Sequence, residues 1–128
     1  MPHPPGPPDP PLPKLEGSDL LQGLSREMVR CMKDYFGKGA LKAKAYLMDD
    51  LCFVVMRDVL TPAEDTMLEA GDEQAVREFR LAYQTQMTER LVGTVEQLTG
   101  RAVLTYHSQI MFNPSVLIEM FLFDDDSG

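Results

Sequence analysis

A chain of 128 residues, 44% of them hydrophobic, holds one domain-sized core and no more. Its formal net charge of −8 argues against a nucleic-acid partner, because neutralising phosphates needs clustered lysine and arginine. No run of about 18 apolar residues is present, so no helix is expected to span a bilayer.

Residues 1–17 carry eight of the ten prolines and read as a disordered, polyproline-like tail. Its PPxP-like spacing suits either a docking ligand for an SH3-like partner or a flexible lead-in. The stretch lacks the basic and apolar regions of a signal peptide. Cys31 and Cys52 lie 21 positions apart in apolar segments, matching neither a disulfide framework nor a zinc motif. They read as buried thiols, and the expected location is cytoplasmic.

The folded part is expected over 18–123, with 124–128 as an acidic end. Helix signals come first. Ser18 suits a cap and Asp19 a first turn, Leu21, Leu24, Met28, Cys31 and Tyr35 share one face, and Gly37 suits a left-handed stop. Leu41 to Met48 alternates as a strand, with Lys42 and Lys44 opposite Ala43, Ala45 and Leu47. After the Asp49-Asp50 turn, Leu51 to Arg57 is apolar nearly throughout and reads as a central strand covered on both sides. Thr61, Pro62 and Glu64 form a capping-box signature opening a short helix. A long helix follows over 72–99, its stripe running Val76, Phe79, Tyr83, Met87, Leu91, Val95 and Leu98. Gly100 closes it, and two strands, 102–110 and 116–123, flank an Asn113-Pro114 turn. The fold class is therefore α+β, a single two-layer domain in the order α-β-β-α-α-β-β. Its four-stranded sheet is mostly antiparallel and packed by the long and N-terminal helices.

Candidate chemistry is sparse. Between 24 and 57, seven basic residues face four acidic ones, a locally basic region in an acidic chain. Lys38, Lys42 and Lys44, beside Gly37 and Gly39, either bind a phosphate or carboxylate or decorate a hairpin edge. His107 falls on the more polar face of its strand, as a surface residue or as a base or ligand without a legible partner. Glu64, Asp65 and Glu69 are expected to complement a helix N-terminus and face water. The nine methionines suit core filling, with a Met-rich partner groove as the alternative. No nucleophile elbow, zincin, CxxC or EF-hand pattern occurs, so no catalytic residue, metal or cofactor is expected.

Several segments, in order, carry a resemblance over 29–123. They are Tyr35-Phe36-Gly37-Lys38-Gly39, the Asp49-Asp50 turn, Leu60-Thr61-Pro62-Ala63-Glu64, Glu96-Gln97-Leu98-Thr99-Gly100 and His107-Ser108. Together they resemble the MpsC-like family. Ala40 stands where members carry proline, and Gln109 where they carry aspartate after the His-Ser pair. The resemblance implies a soluble accessory component, peripheral to a Na+-translocating, membrane-potential-generating system, with no established activity. Two readings follow. The first is a non-enzymatic interaction or regulatory domain with a protein partner or a homodimer interface. The second is a small-ligand or anion-binding domain using Lys38, Lys42, Lys44 and His107.

Overall fold

The computed structural model describes residues 11–125. Residues 1–10 of the expected tail and 126–128 of the acidic end lie outside the described residues. The elements run α1 (Gly17–Phe36), β1 (Lys42–Met48), β2 (Leu51–Arg57), α2 (Pro62–Glu69), α3 (Glu73–Thr99), β3 (Val103–Met111) and β4 (Val116–Phe123). This is the α+β order expected from the sequence. The strands form one four-stranded antiparallel sheet in the order β1-β2-β4-β3. Two hairpins are thus joined along β2 and β4, which leaves β1 and β3 as the edges.

Both left-handed stops occur where glycine stands. Gly37 (φ 78°) and Gly100 (φ 69°) each donate a backbone N–H to the preceding turn, to Lys33 and Glu96. The start of α1 differs from expectation. Its N-cap is Glu16, which makes no side-chain capping bond, and Ser18 lies inside the first turn. The helix is held there by tertiary contacts instead. The extended segment 11–16 docks on the end of α3, with Leu12 N–H donating to Gln97 Oε1 and Leu15 N–H to the Leu98 carbonyl. Leu15 packs closely over Gly23, where a β-carbon would sit 2.7 Å from Leu15 Cδ1 and the leucine side chain would have to shift.

All three helices lie on one side of the sheet. The core between the layers is built from Leu24, Met28 and Cys31 of α1, Leu91, Val95 and Leu98 of α3, and Cys52, Val54, Met56, Phe121 and Phe123 of the sheet. Each such leucine or phenylalanine contributes about 1.5–3 kcal/mol by leaving water. Two expectations are corrected by this layering. β2 is covered on one face, not both: Cys52, Val54 and Met56 are buried, while Leu51, Phe53 and Val55 are only partly so. On α3, Phe79 is 39% exposed and Arg80 takes the buried position beside it.

Candidate functional site

The four residues singled out for anion binding do not converge. Lys38 Nζ donates to the Leu60 carbonyl at 2.9 Å and ties the exit of α1 to the approach of α2. Lys42 and Lys44 are exposed on the outer face of edge strand β1, with Lys44 Nζ 5.1 Å from the centre of the Tyr46 ring. His107 is exposed on the same face but on the opposite edge strand, paired with Met120. Three strand spacings, about 14 Å, separate it from the lysines.

Between those edges lies an uncovered apolar surface. Phe53 and Val55 of β2 register with Met120 and Ile118 of β4, and Leu51 with Leu122. Tyr46 and Met48 extend the surface on β1, 41% and 58% exposed. None of these residues belongs to the helix-side core. Lys42, Lys44, Thr105, His107 and Gln109 form its rim.

On the inner face the sheet carries an unexpected polar cluster. Glu119, central in β4 and 1% exposed, accepts from Ser108 Oγ at 2.6 Å and from Tyr106 Oη. Antiparallel pairing puts Ser108 opposite Glu119 and Tyr106 opposite Phe121, so both hydroxyls reach one carboxyl. Burial pushes the Glu119 carboxyl above its ordinary range, against the two hydroxyl bonds and the Arg80 charge. The Tyr106 phenol is also raised, first by burial and then by the Glu119 charge.

Nearby, Glu64 is fully buried rather than facing water as expected. It forms the reciprocal capping box with Thr61 and clamps Arg80, which donates from Nε at 2.5 Å and from Nη2 at 2.6 Å. Burial raises the Glu64 carboxyl, but the Arg80 and Thr61 bonds together outweigh it and leave it below the ordinary range. Arg80 Nη2 also donates to the Val59 carbonyl, and the guanidinium lies 3.9 Å over the Phe36 ring. Its Nη1 is buried without a partner. A cavity of about 200 Å³ lies between α3 and the inner side of β3 and β4, with Arg80 and Glu119 both in its wall.

Sequence reasoning passed over Glu119, Tyr106, Ser108 and Arg80 as functional candidates. A signal for Glu119 was available, since a lone carboxylate in an otherwise apolar strand must be either paired or neutral when buried. Arg80 gave none, because its partner Glu64 lies 16 residues away on another helix.

Comparison with known proteins gives one curated relative and one family. The uncharacterized protein YbcI of Bacillus subtilis (strain 168) is 22% identical over 104 residues, covering 80% of this chain and 84% of that one. No solved structure matches the chain. Residues 17–125, nearly all of the folded part, match the family described as Na+-translocating membrane potential-generating system (MpsC). The chain belongs to the MpsC family.

Proposed function

We propose that this chain is a non-enzymatic, cytoplasmic accessory domain of a Na+-translocating, membrane-potential-generating system, and that it works as a homodimer joined through the outer face of its sheet. Family membership supports the association with that system. Among the described residues no helix is long and apolar enough to cross a membrane, which fits a peripheral role. The observation carrying the interaction is the uncovered face: an apolar centre of Phe53, Val55, Ile118 and Met120 inside a basic and polar rim.

A second copy suits this face. Four strands of about seven residues give a footprint near 19 by 23 Å, on the order of 400 Å² per copy before side-chain relief. With that relief the two copies approach the roughly 1,000 Å² a specific interface needs. A two-fold axis running along the strands lays β1 of one copy over β3 of the other, with Lys44 level with Gln109, Tyr46 with His107 and Met48 with Thr105, so no lysine meets a lysine.

Sedimentation equilibrium of the full chain across the micromolar range tests this. Wild type is expected to be a dimer. Met120→Asp, which puts a charge at the centre of the face, is expected to be a folded monomer by far-UV circular dichroism. A wild type that stays monomeric overturns the homodimer and leaves the face to a different chain. A Met120→Asp protein that remains dimeric moves the interface elsewhere.

A further inference from the structure

We infer that the free edge of β3 takes up an extended, acidic peptide segment of a partner protein as an added strand, with one bulky apolar side chain of that segment entering the cavity under α3. The main chain comes first. β3 is an edge strand, and antiparallel ladders bond every second residue across while those between point away. Asp124 N–H donates to the Ala102 carbonyl on the β3 side, and Phe123 N–H to the Asp50 carbonyl on the β2 side. Counting back in twos from Asp124, the even-numbered residues of β4 face β3 and pair with Thr105, His107, Gln109 and Met111. Tyr106, Ser108 and Ile110 therefore turn their N–H and C=O groups to the free edge. Arg77 Nη1, 2.9 Å from the Ile110 carbonyl, agrees with that direction. The main-chain groups of Tyr106 and Ser108 have no partner there among the described residues. Such an edge is a template for another strand. The opposite edge, β1, is guarded by Lys42 and Lys44, whereas β3 carries no Lys, Arg, Asp or Glu.

The cavity opens at the same edge. Gln109 belongs to the outer-face row yet lines the cavity, its amide turning round the edge to the Ile110 carbonyl at 3.4 Å. On the helix side of the opening, Leu81 is 60% exposed. Met87, Leu91 and Leu117 supply apolar wall. At about 200 Å³ the cavity exceeds the roughly 150 Å³ that accommodates a benzene ring in an apolar core. A residue opposite Ser108 on an added strand shares its inner face, so its side chain is directed at this space. Charge decides what flanks that anchor. Arg80 and Glu119 are buried in the wall, whereas the Arg77 side chain stays 40% exposed beside Ile110. Its 3.8 Å approach to Glu73 joins two exposed side chains and is weak. Two positions along the added strand lie on one face, so a carboxylate opposite Ile110 meets Arg77 when the anchor is opposite Ser108. This edge lies outside the face-to-face contact proposed above, and neither depends on the other.

The test is an NMR titration of ¹⁵N-labelled full chain with the peptide Ac-Thr-Asp-Val-Phe-Val-Asp-Thr-NH2. Saturable shifts are expected along β3 and at Leu81, with slowed amide exchange at Tyr106 and Ser108, whose N–H groups gain partners. Added antiparallel to β3, the peptide turns the Phe N–H to Ser108 and the following Val N–H to solvent. Changing Phe to Ala, or N-methylating Phe, is expected to weaken binding at least about tenfold, while N-methylating that Val leaves it within about twofold. Changing both Asp to Asn is expected to weaken it about two- to fivefold at low salt. In the protein, Leu81→Glu alters an exposed position at the opening and is expected to weaken binding at least about fivefold without unfolding the chain. Absence of saturable shifts at millimolar peptide, absence of protection at Tyr106 and Ser108, or undiminished binding by the Ala, N-methyl-Phe or Asn peptide or by Leu81→Glu overturns the assignment.

Discussion

Replacing Arg80 with methionine tests how the helical layer is locked. Arg80 gives Glu64 two short bonds, at 2.5 and 2.6 Å, and the Val59 carbonyl a third at 3.0 Å. Glu64 is fully buried and Arg80 is 6% exposed, so neither is rescued by water when the other is lost. Methionine preserves apolar contact with Phe36 but leaves Glu64 with only its Thr61 bonds. Breaking a buried pair from one side costs about 3–5 kcal/mol, a large part of the typical 5–15 kcal/mol of a domain. Urea unfolding followed by circular dichroism should show that loss, and Glu64→Gln added to Arg80→Met should recover part of it. The pH dependence has a definite sign. In wild type the lowered Glu64 value makes its contribution present above the unfolded carboxylate value and lost as acid protonates it. Without Arg80, only the Thr61 bonds oppose burial, and the ionised form loses most of its support. The deficit of Arg80→Met should therefore shrink toward low pH. A cost below about 1 kcal/mol, independent of pH, would mean the pair behaves as a solvated surface bridge and would refute the reasoning.

Other consequences follow from the same packing. Because burial raises Glu119, its contribution is present at low pH and lost as pH climbs through the raised value. Glu119→Gln should then melt higher than wild type at about pH 8 and converge with it near pH 4; an unchanged gap would contradict this. Cys31 and Cys52 are buried, and burial pushes both thiols up to about 12, so native protein should resist Ellman's reagent and denatured protein should titrate two thiols. Gly39→Ala brings a β-carbon to 2.8 Å from Val29 Cγ1 and should cost about 1–3 kcal/mol, whereas Gly93→Ala in α3 meets nothing within 4 Å and should gain up to about 1 kcal/mol. Equal urea midpoints for the two variants would contradict the packing described around Gly39.

Much of the secondary structure was readable because its signals are local. The capping box at Thr61, the glycine stops at Gly37 and Gly100, and the alternation of Ala43, Ala45 and Leu47 each depend on residues within one or two turns. What failed was long-range. The apolar run of β2 looks the same whether its second face meets a helix or remains open, so Phe53 and Val55 were misplaced. The α3 stripe was drawn through Phe79 by spacing alone, because nothing near Arg80 in the chain announces Glu64. The start of α1 depends on Leu15 meeting Gly23 and Leu98, not on a capping side chain. The candidate site shows the same division. Lys42, Lys44 and His107 were correctly placed on strand faces, yet strand order, which separates them by the full sheet, has no local signal. Conversely, Ser108, Tyr106 and Glu119 meet only through the β3–β4 register.

The proposal that the open sheet face joins two copies is tested most directly by isotope-filtered NMR on an equimolar mixture of labelled and unlabelled chains. Phe53 pairs with Met120 across β2 and β4, so a two-fold axis along the strands brings each Phe53 ring beneath the partner copy's Met120 methyl. The account predicts intermolecular contacts between those groups, joined by Val55 and Ile118. Intermolecular contacts confined to the helical side, or none in concentrated solution, would contradict it.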